Sequence, residues 1–305
     1  MNFSTMEYFV ALARERSFTK AAQQLHITQQ SLSSHIAALE QELGCQLLVR
    51  RVPLELTYAG TVFLRYAVNF QKELNDLYRE FCDITEHQRG VLRIGVAFTR
   101  GRAIMPELIA RFQGRYPNIE IELSEAANQV LHQKLLNREI DVAIANFPDS
   151  LQGVELRDFY REEVVLLLAK ELWNAIGSDE AEEQVQNGDL SVLAQCPFVL
   201  GNSNDIAGRI GRDVLERAGI QPILRAKSDN METLLSLCVG GTGACFCPEN
   251  LMYSALTGEQ ISTLKRFRLG KEAEYPIRFG YLKSSYQWNM IEEFMRLAVV
   301  HPENL

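Results

Sequence analysis

The sequence predicts an α/β protein: a small helix-rich N-terminal domain, a long helix behind it, and a larger domain in which strands alternate with helices. Three observations carry this. Two short helical patterns separated by a turn fill residues 17–50. Apolar residues then recur in steps of four and three from Phe63 to Ile84. Beyond Gly90, short β-prone apolar runs alternate with helical patterns almost to the last residues.

In the first domain, residues 4–16 read as an amphipathic helix, with Met6, Phe9, Val10 and Ala13 on one side to pack behind the next two helices. Those two lie in the stretch SFTKAAQQLHITQQSLSSHIAALEQELGCQLLVR. In the second of them, Leu32, Ile36, Leu39 and Leu43 share a helical face that should be buried. The opposite face carries Gln30, Ser33, Ser34 and Ala37. Ala21 and Ala22 let a neighbouring helix come close. Thr28 can cap the free N–H groups of the second helix, which leaves Gln29 in its first turn, aimed outward.

A helix with a short polar face suits the DNA major groove. A Gln amide matches the donor and acceptor of adenine, and Ser serves several bases. The turn His26-Ile27-Thr28 has the length of a helix-turn-helix connection without the frequent Gly. The periodicity alone also fits any small helical bundle. After Gly44 the chain runs through β-prone pieces that flank a Pro, a pattern for a hairpin wing over residues 47–57. Arg50 and Arg51 would meet phosphates there, with Pro53 at the tip. The plain alternative is a solvated Arg pair beside a turn.

Residues 58–88 form the second informative stretch. Phe63, Ala67, Phe70, Leu74, Leu77, Phe81 and Ile84 form a heptad seam that no Pro interrupts. Such a seam favours a long helix paired with a second copy. A core helix of the following domain would present a wider apolar face.

Strand patterns then fall at residues 91–97, 119–123, 141–145, 164–169, 198–200, 243–247 and 277–282. Helical patterns fall at 104–116, 129–137, 178–186, 206–218, 230–239 and 288–300. The alternation implies a parallel sheet with right-handed crossovers. Ligands of such sheets bind beyond the carboxyl ends of strands. The segment Phe98-Thr99-Arg100-Gly101-Arg102, read as a loop between strand and helix, is placed for this. Gly101 would let the backbone approach, helix N–H groups favour an anion, and Arg100 and Arg102 add positive charge. A small carboxylate or other anion is therefore the expected ligand, unless both arginines point to solvent. Asn128, Asn146 and the run Gly201-Asn202-Ser203-Asn204 follow other strands and can converge on the same cleft.

The spelling goes further than the periodicity. Phe9, Ser17, Phe18, Ala21, Ala22, Leu25, Gln29, Ser33, Ile36, Leu39, Glu40, Leu43, Gly44, Leu47 and Arg50, with Leu56, Thr57 and Gly60 in register, closely resemble the DNA-binding domain of LysR-type transcriptional regulators. Gln30 stands where that family often has Pro, Leu48 where it usually has Phe, and Ser34 where a larger polar or basic residue is common. The base preference of relatives is therefore not carried over. Later spellings resemble the family's two-lobed effector domain, shared with periplasmic binding proteins: Leu92-Arg93-Ile94-Gly95, Phe112 with Tyr116-Pro117, Asp141-Val142-Ala143-Ile144, Ala218-Gly219, and Val239-Gly240-Gly241-Thr242-Gly243 before Pro248.

The resemblance implies a winged helix-turn-helix DNA-binding domain over residues 1–58 and a dimerisation helix over 59–89. An effector-binding domain follows over 90–305, with one lobe from 90–161 and 268–305 and the other from 162–267. It implies a transcription regulator that binds an interrupted inverted repeat in double-stranded DNA through Thr28, Gln29, Gln30, Ser33, Ser34, Arg50, Arg51 and Pro53. It further implies a homodimer or homotetramer and RNA polymerase as a partner, and together with the cleft reading above it puts the effector against Thr99, Arg100, Arg102, Asn128, Asn146, Asn202 and Ser203. Thr99 matches a position where the family often places a ligand-binding hydroxyl.

Composition sets the other bounds. The 305 residues are enough for two domains. The net charge of −8 argues against nucleic acid only if charge is spread evenly. Residues 1–57 carry five basic and five acidic side chains, so the acidity lies downstream. Phosphate binding must then rest on a few placed groups and helix N-termini. No apolar run reaches the length of a membrane span, and the N-terminus lacks a secretory pattern, so a cytoplasmic location is expected.

The six cysteines form no C-x-x-C pair. A redox-sensing pair is the alternative within the regulator class, but a sensor thiol needs an electropositive, accessible setting. A metal site lacks ligand spacing. No hydrolase, metalloprotease or phosphate-loop motif appears. Gly240-Gly241-Thr242-Gly243 lacks the following Lys-Ser/Thr, and His132 and Asp141 have no nucleophile beside them. Neither an enzyme nor a cofactor is expected. A solute-binding protein would share two lobes but not the N-terminal domain.

Overall fold

A computed structural model describes residues 2–49, 51, 54–84, 89–186, 188–201, 205–283 and 288–299, except for the side chains of 82–84 and 179. The chain forms two compact units, residues 1–87 and 88–305.

In the first unit, α1 (Phe3–Glu15) is capped by Asn2 and closed by Arg16 in a left-handed conformation. Next come α2 (Phe18–Gln24) and α3 (Gln29–Leu43), joined by a short turn. His26 supplies that turn's positive φ of 52°, the role a glycine more often fills. Thr28 Oγ1 accepts from the Ser31 N–H at 3.1 Å and so starts α3. Gly44 ends it with a φ of 67°.

Phe9, Leu12, Ala21, Ala22, Leu32, Ile36 and Leu39 form the core with Leu47, Leu48 and Leu54. Leu43, expected on the buried face, is 40% exposed. It is the last helical residue, next to the left-handed Gly44 that ends α3. The wing is a hairpin of β1 (Leu48–Val49) and β2 (Glu55–Leu56), paired antiparallel. Glu40 of α3 ties it down, its Oε1 accepting from the Leu47 and Leu48 N–H groups at 2.8 and 3.2 Å.

The long helix α4 (Tyr58–Ile84) begins where Thr57 Oγ1 accepts from the Gly60 N–H at 2.9 Å. A Cβ on Gly60 would lie 2.0 Å from the Leu47 carbonyl oxygen, so only glycine allows this approach of α4 to the wing. The seam of α4 divides. Phe63 packs edge-on against Phe9, their centroids 5.0 Å apart, and Ala67 is buried in its own unit. Phe70, Leu77 and Phe81 are 41%, 47% and 57% exposed, with Leu74 half-buried between them. The expectation that the whole seam faces a second copy is therefore corrected. Its first two positions hold α4 to α1, and the exposed stripe starts at Phe70.

The second unit opens with β3 (Gly90–Val96), α5 (Phe98–Arg115), β4 (Ile119–Glu125), α6 (Asn128–Leu136) and β5 (Val142–Ala145). Then follow the 16-residue strand β6 (Val154–Ala169), α7 (Lys170–Ile176), α8 (Asp179–Gln186), a 3-10 turn, β7 (Pro197–Leu200), α9 (Ile206–Arg217) and β8 (Ile223–Lys227). The chain continues through α10 (Met231–Val239), β9 (Cys245–Pro248), α11 (Glu249–Ala255), α12 (Gly258–Ser262) and β10 (Leu264–Arg268). It ends in β11 (Glu274–Leu282) and α13 (Asn289–Val299).

β3 pairs parallel with β4 and β5, as the alternation implied. The sheet as a whole is mixed, not parallel, because β11 runs antiparallel to both β5 and β6. β6 is shared. Its residues 154–163 pair with β11, and residues 164–169 pair with β9 and β10. The parallel pair β7–β8 adjoins β9 through a bridge between Phe198 and Ala244. The unit thus has two halves, one on β3, β4, β5 and β11 and the other on β7 to β10, with β6 running from the first into the second. The apolar stretch of β6 from Val164 to Ala169 is almost fully buried, as a strand covered on both faces must be.

Candidate functional site

The outward surface of α3 is polar. Thr28, Gln29, Gln30 and Ser34 are exposed and Ser33 is half-buried. The Gln29 Oε1 accepts from the Thr19 hydroxyl at 3.1 Å, which orients the amide from α2. An amide held this way offers a donor and an acceptor in a fixed plane, as bidentate reading of adenine requires. On the wing, Arg51 is exposed and ion-paired with Glu55 across the hairpin. Arg50 and Pro53 lie outside the described residues.

The C-terminal ends of β3, β4 and β5 differ from expectation. Residues 98–102 are not a loop but the first turns of α5, which starts directly after β3. Arg100 is consequently turned inward. Its Nε and Nη2 donate to Glu162 Oε1 and Oε2 at 2.9 and 2.7 Å, and both side chains are nearly inaccessible. Tyr160 donates to Glu162 Oε1 at 2.7 Å, and Tyr275 donates to Oε2. Burial works against the Arg100 charge. Glu162 and the two tyrosines outweigh it and hold the guanidinium above its ordinary pKa. Burial and then the Glu162 charge push both tyrosines up, so their hydroxyls stay protonated donors. Arg100 is therefore a structural cation with a satisfied partner and not a ligand-binding charge.

Arg102 stays at the surface, with its Nη1 3.0 Å from Glu232 Oε2 on α10. The expected excess of positive charge is thus cancelled at both arginines. Gly101 does not make room for a ligand either. A Cβ there would lie 1.8 Å from the Glu125 carboxylate at the end of β4.

Thr99 is half-buried, and no hydrogen bond of its hydroxyl is found among the described residues. Asn128 and Asn146 are brought together. The Asn146 N–H donates to Asn128 Oδ1 at 3.2 Å, and Asn146 Nδ2 donates to the Pro276 carbonyl at 3.0 Å. His132 sits beside them, its Nε2 3.1 Å from the Asn146 carbonyl oxygen and its ring stacked on Phe147. Its pKa is lowered, chiefly by burial. Asn202 and Ser203 lie outside the described residues. Just past them, Asp205 caps α9, and burial raises its carboxyl against the opposing pull of the Gly208 N–H and Arg212.

Sequence reading missed Glu162, Tyr160, Tyr275 and Glu232. The one local signal was the pair Glu162-Glu163 immediately before a buried apolar run, a place where a carboxylate needs a partner.

Four cysteines, Cys196, Cys238, Cys245 and Cys247, are buried, and Cys45 is exposed. Burial pushes the Cys196 thiol up to about 11. The thiols of Cys245 and Cys247 are raised as well, Cys245 first by its hydrogen bond with Cys238 and Cys247 by burial. These are the opposite of the settings that make a thiol reactive. No helix among the described residues is long and apolar enough to cross a membrane.

A winged helix-turn-helix followed by a long helix and a two-part α/β unit with a shared strand defines a class of DNA-binding regulator. Comparison with known proteins agrees. Residues 3–61 match the "bacterial regulatory helix-turn-helix protein, lysR family", and residues 85–301 match the "LysR substrate binding domain". The chain belongs to the LysR family of DNA-binding transcription regulators with an effector-binding domain.

One relative is an uncharacterized HTH-type transcriptional regulator, YcgK of Bacillus subtilis (strain 168), 30% identical over 98% of this chain and 94% of that protein. Among solved structures, full-length CbnR complexed with its target DNA shares the fold at a TM-score of 0.64, with 22% identity and coverage of 98% and 99% of the two chains. A full-length OxyR mutant from Pseudomonas aeruginosa does so at 0.70, with 21% identity and coverage of 98% and 95%.

Proposed function

We propose that this regulator reads its operator with α3 and is switched by a small carboxylate bound where the N-terminal turns of α5 face α10. Gln29, Gln30, Ser33 and Ser34 meet base edges, with Thr28 at the helix start. Arg50, Arg51 and Pro53 meet the backbone. Two copies pair through the stripe Phe70, Leu74, Leu77 and Phe81, so that two reading helices span an interrupted inverted repeat. Thr99 and Arg102 contact the effector, joined by Asn202 and Ser203, while Asn128 and Asn146 shape the floor. Effector binding shifts the oligomer's geometry, to the extent that the two states bind it unequally. RNA polymerase is the partner at the promoter, the location is cytoplasmic, and no catalysis is involved.

The observation that carries the reading is the polar outward face of α3, with Gln29 oriented by Thr19, within a chain whose residues 3–61 and 85–301 match the family. The test is a gel shift with the parent and Gln29→Ala on an operator fragment and on random DNA. Loss of one bidentate base contact should cost about 1–3 kcal/mol on the operator and leave random DNA, bound through phosphates, unchanged. Equal loss on both fragments would remove α3 from the groove.

A further inference from the structure

Arg102 and Glu232 come from opposite halves of the effector-binding domain. α5 packs against β4 and α13 in its own half and against α11 of the other, whereas α10 packs against β6, β7 and β9. The ion pair between Arg102 and Glu232 bridges the halves at 3.0 Å, with side chains 53% and 49% exposed.

It differs in kind from the pair formed by Arg100, two residues earlier. Arg100 and Glu162 are buried, doubly bonded to each other and completed by two tyrosines, so no incoming group can exchange with them at low cost. Arg102 and Glu232 are wet, singly bonded and exchangeable. Nor does α10 need the Glu232 carboxylate at its start. Asn230 Oδ1 already accepts from the Glu232 and Thr233 N–H groups at 2.8 and 3.3 Å. One turn back on the same face of α5, Thr99 offers a hydroxyl with no hydrogen bond among the described residues.

We propose that Glu232 is a built-in competitor at the anion site of this domain. Its carboxylate occupies Arg102 in the absence of effector, and a small carboxylate takes its place on Arg102 with Thr99 as the second donor. The proposal rests on the reading that the effector binds where α5 faces α10. It makes Glu232 a determinant of specificity. A ligand with a carboxylate replaces one anion by another and releases this tie between the halves. An uncharged ligand of the same shape cannot displace Glu232 and leaves the tie in place. Because an exposed ion pair is weak, the competition lowers carboxylate affinity by only about two- to fivefold.

The test uses the full chain and thermal-shift titration with sodium acetate, with sodium chloride making up constant ionic strength and acetamide as the uncharged counterpart. Each variant is referred to its own midpoint in chloride, which removes differences in basal stability. The half-saturating acetate concentration should fall about two- to fivefold in Glu232→Gln relative to the parent. The acetate response should vanish in Arg102→Gln and in the double variant, and acetamide should shift none of them.

Equal acetate response in the parent and Glu232→Gln, with loss in Arg102→Gln, would remove the competitor and keep the site. A response untouched by Arg102→Gln would remove the site itself. No response to acetate in any of the proteins would overturn the proposal.

Discussion

Replacing Glu162 by Gln is the most informative single change in the effector-binding domain. Glu162 accepts four hydrogen bonds, two from Arg100 and one each from Tyr160 and Tyr275. The Gln side chain keeps the shape but removes the charge and turns one acceptor into a donor. Arg100, with a side chain only 4% exposed, is left as a buried cation with no counter-charge among its hydrogen-bond partners. Breaking a buried pair from one side costs about 3–5 kcal/mol, a large share of the roughly 5–15 kcal/mol that a domain has in total.

Replacing both members by apolar residues, as in Arg100→Met with Glu162→Leu, should cost much less than the sum of the two single changes, because no charge remains to be desolvated. Urea unfolding followed by tryptophan fluorescence suits the measurement. The chain has two tryptophans, and both Trp173 and Trp288 are buried in this unit. A loss under about 1 kcal/mol for Glu162→Gln, or a double variant as damaged as the summed singles, would refute the reasoning.

Three further outcomes are expected. Leu74→Lys places a charge in the exposed stripe of α4, and desolvating it in a paired state costs several kcal/mol; sedimentation should show dissociation at concentrations where the parent is a dimer, and an unchanged oligomer would shift pairing to other surfaces. Tyr160 and Tyr275 hold their protons above the ordinary tyrosine value of 10.0 in the folded state. Their contribution is therefore fully present below pH 10 and is lost as pH rises beyond it, by about 1.4 kcal/mol per pH unit for each tyrosine. Alkaline unfolding curves of the parent and the double Phe variant should diverge there, and parallel curves would contradict the shift. Finally, Ellman's reagent at pH 8 should leave Cys196, Cys238, Cys245 and Cys247 unreacted until denaturant is added, and rapid labelling of more than two thiols in the native chain would reverse the burial assignment.

The DNA-binding domain was legible because its signals are local. Thr28 and Gly44 mark the ends of α3, and Leu32, Ile36 and Leu39 declare its buried side within one helix. The seam of α4 was equally visible. Periodicity does not say which neighbour each position meets, so the share taken by Phe9 could not be read from it.

The effector-binding domain was readable where strands are apolar. The first ten residues of β6, VELRDFYREE, carry six charges and fall outside every strand pattern of the sequence. Their partner β11 lies more than a hundred residues away, and the pairing is visible only in the fold. The start of α5 was misplaced for a different reason. Pro106 sits inside the helix, and proline usually marks a first turn, so the helical pattern of the sequence begins at Ile104. The charge reading failed for want of distant partners. Glu162 is 62 positions from Arg100, and Glu232 is 130 from Arg102. Charge counted along a loop carries no information about carboxylates delivered by another strand or helix.

The shared strand β6 has a mechanical consequence. Its second half is gripped along both edges, by β9 and β10, while among the described strands its first half is held by β11 alone. The register between β11 and β6 also slips beside Ile277 and Arg278, and such bulges sharpen local twist and bend. A rod clamped at one end and guided at the other transmits torque. The two halves cannot slide apart like separate plates without tearing hydrogen-bond ladders, so any twist between them has to run along β6. The ladder is interrupted near Phe159, opposite the slip, and Arg100 and the two tyrosines hold Glu162 just before the firm grip begins.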